Sequence, residues 1–125
     1  MTGMTLDAGA LVAFDRNDRV VVGIVRRAVE TGATLAIPAG VVGQSWRDGR
    51  TQARLARLLA SPIVEIETLD DLRARAAGQL CGVTKTSDVI DASVVLCARA
   101  RKQAVLTSDV DDLRRLDAGV ELIRV

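Results

Sequence analysis

The chain has 125 residues, 49% of them apolar, which suits one compact domain with a core large enough to stand without staples. Seventeen Lys and Arg offset sixteen Asp and Glu, so the molecule as a whole does not attract nucleic acid, and any such binding has to use a local patch. Histidine is absent, which excludes Ser–His–Asp and Cys–His sites, a histidine general base and a histidine metal ligand, and leaves hydrolytic chemistry to carboxylates with a hard cation.

The N-terminal "MTGMTLDAGALVAF" meets an acid almost at once and lacks the basic head and small-residue cleavage pattern of a signal peptide. Its first apolar run predicts a strand at Met4 to Leu6, followed by Asp7 ahead of a helix. "DRVVVGIVRRAVETG" carries Val21, Ile24, Val25 and Ala28 on one helical face, and Gly32 supplies a stop. A second strand is expected at Thr34 to Ile37, and Pro38 suits the start of another helix. "TQARLARLLASP" gathers Leu55, Leu58 and Leu59 before Pro62 ends the run, and a third strand follows at Ile63 to Glu67. "LDDLRARAAGQLCG" and "SDVIDASVVLCARARKQ" read as two more helices, and the last strands as Ala104 to Thr107 and Glu121 to Val125. Strands alternating with helices predict an α/β domain over residues 1–125 with a mainly parallel sheet of four or five strands. Cys81 and Cys97 lie in apolar or small-residue contexts, so buried free thiols and a reducing cytoplasm are expected. No apolar run approaches the length of a membrane span.

Parallel strands joined by crossover helices all finish at one edge of the sheet, where side chains remote in sequence converge. Asp7 follows the first strand and Asp109 the fourth, while Asp88 and Asp91 stand three apart at the start of the helix before that fourth strand. Each has an ordinary explanation as a helix cap or as a charge suited to the helix dipole. Asp91 fits that explanation least, because Ile90, Val94 and Val95 draw it toward the interior, where a charge needs a partner. Together, uncompensated, these acids would raise one another's pKa, and a divalent ion removes that penalty. Mg2+, with Mn2+ as an alternative, favours such oxygen ligands. Of the adjacent pair Asp111 and Asp112, Asp112 is the better auxiliary candidate and Asp111 the solvated one.

"TLDAGALVAF", "DASVVLCARARKQAVLTSD" and "DVDDL" resemble the acidic motifs of the PIN-domain ribonucleases, and the chain is most similar to the VapC-type toxins of bacterial toxin–antitoxin pairs. The resemblance covers nearly the full length. It implies a three-layer α/β/α fold, a Mg2+-dependent endoribonuclease, frequent homodimers and a small antitoxin that blocks the site. By position, Asp7 and Asp91 match the principal metal ligands and Asp109 the third acid of the catalytic cluster. One position departs from the family: where a glutamate is usual in the helix after the second strand, "PAGVVGQSWRDG" offers Gln44, which brings no charge and cannot act as a base. Asp88 is then the candidate to restore the missing charge.

RNA would also need cations. Arg50, Arg54 and Arg57 recur at helical spacing with Arg47 just upstream, and are candidates for a phosphate-contacting strip, though an ordinary solvated face has the same pattern. Trp46 could stack on a base, fill an antitoxin groove, or be buried in the core or a dimer contact. Arg99, Arg101 and Lys102 suit the C-terminal end of a helix. The competing function is a catalytically weakened PIN-like module that binds RNA or a protein. A phospho-accepting receiver domain fares poorly, since "VELIRV" has no preceding lysine placed to sense a phosphoryl group.

Overall fold

Five short strands alternate with seven helices in the computed structural model, which describes residues 3–125. In chain order these are β1 (Met4–Leu6), α1 (Ala8–Asp15), α2 (Arg19–Thr31), β2 (Leu35–Pro38), α3 (Ala39–Ser45), α4 (Ala53–Leu59) and β3 (Val64–Glu67). There follow α5 (Asp71–Thr84), α6 (Val89–Arg101), β4 (Ala104–Thr107), α7 (Val110–Leu116) and β5 (Leu122–Arg124). All five expected strands are present within a residue or two of their predicted ends.

The strands form one sheet in the order β3-β2-β1-β4-β5, and every neighbouring pair is parallel. From β1 the chain steps outward to β2 and β3, then returns to lay β4 on the other side of β1. Right-handed crossovers therefore place α1 to α4 on one face and α5 to α7 on the other, giving three layers. The packing agrees: α1 contacts α2, α3 and α4, whereas α6 contacts α5 and α7 and lies across β1, β2 and β4.

The core is aliphatic. Leu6, Leu35, Ile37, Val105 and Leu106 on the strands are fully buried, and each contributes about 1.5–3 kcal/mol by leaving water. Helix α2 buries Val21, Val25 and Ala28, is capped by Asp18 through the N–H groups of Val20 and Val21, and ends at Gly32 in the left-handed region at φ 72°. Helix α6 is buried along most of its length, including Ala92, Ser93, Val94, Val95, Cys97 and Ala98, because it is sandwiched between the sheet and α5. Both cysteines are free and buried, as expected.

Pro38 closes β2 and begins α3, which stops at Ser45; a turn then separates it from α4. The Gln52 side chain holds that turn, accepting hydrogen bonds from the N–H groups of Arg47 and Asp48 and donating to the Ser45 carbonyl at 2.8 Å. Among the described residues no helix is long and apolar enough to cross a membrane.

Candidate functional site

In a sheet of this order the connections leave β1 and β4 in opposite directions, and the crevice beyond their carboxyl ends is the natural ligand position. Leu6 pairs with Leu106, and the next residue, Asp7, donates its N–H to the Leu106 carbonyl. The Asp7 carboxylate is thereby fixed at the crevice and is only 5% exposed. Its Oδ1 accepts from the Ala10 N–H at 2.9 Å, which caps α1, and its Oδ2 accepts from the Thr107 hydroxyl. Thr107 Oγ1 accepts in turn from the Asp109 N–H at 2.8 Å, so one buried threonine ties together the two strand-end acids. Burial raises the pKa of Asp7, and Asp109 adds to that rise, while the Thr107 hydroxyl and the Ala10 N–H oppose it.

The two corners touch at Gly9. A Cβ there would stand 1.9 Å from Ser108 Oγ and 2.9 Å from Ser108 Cβ, so only glycine lets the β4–α7 corner close against the start of α1.

Helix α6 brings in the other acids. Asp88 caps it by accepting from the Asp91 N–H at 2.9 Å, which leaves the Asp91 carboxylate free of any capping task. Asp91 is half-buried and its pKa is pushed up to about 7, first by burial, then by Asp88, Asp112, Asp109 and Asp7 in that order. The aspartates of β1, α6 and α7 thus sense one another across a single edge. Asp112 is half-buried and paired with Arg115 at 3.0 Å, whereas Asp111 is exposed. Asp109, expected to cap α7, makes no side-chain cap bond; its backbone N–H is taken by Thr107, and its carboxylate is exposed and uncommitted.

Among the described residues, no three acidic or cysteine side chains are set closely enough to ligate one ion together. An all-carboxylate donor set still fits a hard cation, since Mg2+ is held by one or two carboxylates and keeps several waters.

Beside Asp91 opens a cleft of about 440 Å³ lined by Lys85, Thr86, Ser87, Asp88, Asp91, Asp112, Arg115 and Leu116. Its two cations are not those singled out from the sequence. Arg50 is spent on Asp48 at 3.1 Å within its own turn, and Arg47 bonds to the carbonyls of Gly43 and Trp46. Arg54 and Arg57 line a separate groove with Phe14 and Val29. Gln44 is exposed on α3 and does not line the cleft beside Asp91. Trp46 is partly exposed and packs over Gly49. Arg101 does more than complement a helix dipole: it pairs with Glu65 and Glu67 and pins α6 to the edge strand β3. The acids of the cleft, Asp88, Asp91 and Asp112, were singled out from the sequence, whereas its cations, Lys85 and Arg115, were not.

No protein-family model matches the sequence, and no curated protein is significantly similar to it. Solved structures are similar over the whole chain. VapBC2 from Rickettsia felis, bound to a DNA fragment from its promoter, superposes with a TM-score of 0.70 at 16% identity, over 100% of this chain and 99% of that one. The fold is a VapC-like PIN fold. A toxin–antitoxin complex from Klebsiella pneumoniae gives 0.69 at 16% identity, covering 97% and 96% of the two chains. VapC20 from Mycobacterium tuberculosis, a sarcin-ricin loop cleaving toxin, gives 0.68 at 16% identity, covering 98% and 100%. The three-layer α/β/α architecture expected of a VapC-like chain is thus borne out.

Proposed function

We propose that this chain is a metal-dependent endoribonuclease that acts as the toxin of a toxin–antitoxin pair. The observation that carries this reading is that Asp7 and Asp109 stand at the carboxyl ends of β1 and β4, tied through Thr107, with Asp91 at the start of α6 pushed up to about 7 by burial and then by Asp88, Asp112, Asp109 and Asp7. The VapC-like fold supports it, as does the likeness to a sarcin-ricin loop cleaving toxin and to a toxin–antitoxin complex.

Asp7 and Asp91 would hold Mg2+, or Mn2+ in its place, with Asp109 and Asp112 as auxiliary acids. When bound, the ion would lower the pKa of a coordinated water and neutralise charge on the scissile phosphate. Asp7 is oriented for that task by Thr107 and by the start of α1. Asp91, whose pKa is pushed up to about 7 by burial and then by its acidic neighbours, would have to be ionised to serve as a ligand. Asp109, with no cap bond to its carboxylate and open to solvent, would accept the proton of an attacking water in this reading. Asp88 supplies negative charge next to Asp91, where Gln44 supplies none.

A second reading, a weakened PIN-like module that binds RNA or a protein, is favoured by the lack of three converging carboxylates among the described residues and by Gln44. Incubating the purified chain with ribosomal, transfer and messenger RNA separates the two. The nuclease reading expects cleavage with Mg2+ or Mn2+ that disappears with EDTA and in Asp7→Asn. RNA that is bound but left intact under all metal conditions supports the module instead.

A further inference from the structure

The cleft beside Asp91 is lined by both signs of charge. Asp88, Asp91 and Asp112 share it with two cations, Lys85 and Arg115, and with the hydroxyl residues Thr86 and Ser87. Lys85 reaches this position because α5 ends on it in the left-handed conformation, at φ 57°, which turns the chain toward the start of α6. Arg115 is held by its bond to Asp112, one helical turn back.

Stability does not account for this arrangement. The Arg115 side chain is 68% exposed, and an exposed pair three residues apart on a helix adds little to folding. Only one of the guanidinium's five donors is engaged with Asp112, so the rest are free to bind. A phosphodiester approaching the acids meets repulsion, which a cation lining the same cleft offsets. Arginine matches phosphate oxygens in a planar fork, and lysine meets them as a point charge.

We propose that Lys85 and Arg115 form a phosphate clamp for the RNA backbone next to the point of cleavage, with the Thr86 and Ser87 hydroxyls as further donors. The clamp deepens the ribonuclease reading and rests on it for its substrate. Arg47, Arg50 and Arg54 are not needed for it.

The test is binding of a fluorescein-labelled, unstructured 20-nucleotide RNA to the full chain in EDTA, across a series of NaCl concentrations. Lys85→Gln and Arg115→Gln should each weaken binding about three- to tenfold at low salt and reduce the slope of log K against log salt by about 0.7. Arg115→Lys should restore most of the slope, which a folding defect would not allow. Arg26→Gln, on the exposed side of α2, should leave both quantities unchanged. Wild-type slope and affinity in the Lys85→Gln/Arg115→Gln double variant, or no RNA binding by the wild-type chain, would overturn the clamp. Mg2+-dependent cleavage is scored separately: unaltered binding with cleavage intact removes the clamp alone, whereas altered binding without cleavage removes the nuclease reading alone.

Discussion

An aspartate in the unfolded chain ionises near 3.8, but Asp91 in the folded protein does so at about 7. Between those values the native state holds a proton that the unfolded state has lost, so stability falls as pH rises through this window, and the penalty is complete above it. Asp7, whose pKa is also raised, acts in the same direction. Replacing Asp91 by Asn removes the charge and keeps the shape. Thermal melts of Asp91→Asn should show a gain of about 1–2 kcal/mol at pH 8, allowing for solvent screening of a half-exposed group, and little gain at pH 4. Metal-dependent cleavage should be lost in the same variant. Thr107 presents the opposite case, since its hydroxyl serves both Asp7 and the Asp109 N–H. Thr107→Val should cost about 1–3 kcal/mol in denaturant unfolding, by leaving buried polar groups short of partners, and Thr107→Ser should recover most of it.

At the scale of elements, the site is a meeting of the β1–α1 and β4–α7 corners, and Gly9 sets how closely they approach. Gly9→Ala should destabilise by about 1–3 kcal/mol through overpacking, and Ser108→Gly in the same chain should relieve it. Unfolding of the single and double variants measures both effects. These corners were legible in the sequence because each apolar run ended on an aspartate, and a parallel sheet gathers strand ends at one edge. The strands and the long helices were legible for a similar reason: their periodicity is undisturbed, and Gly32 and Pro62 punctuate it. The turn between α3 and α4 was not, because it depends on Gln52 reaching back to Ser45, Arg47 and Asp48. Nor were the cations of the cleft. Lys85 and Arg115 are thirty positions apart and come together only through the packing of α5, α6 and α7.

For the molecule as a whole, a net charge of +1 means that the balance between the acids and the cations of the cleft is local. A divalent ion should shift that balance and, by binding the folded state, stabilise it. Because the ion must displace the proton of Asp91, Mg2+ should raise the melting temperature by several degrees at pH 8 and by much less at pH 5.5. The most direct measurement is anomalous diffraction from crystals grown with Mn2+. The account predicts one strong peak at ligating distance from the carboxylates of Asp7 and Asp91, with their side chains drawn slightly together and water between the metal and Asp109. Full Mn2+ exposure with no peak at the β1/β4 crevice would contradict it.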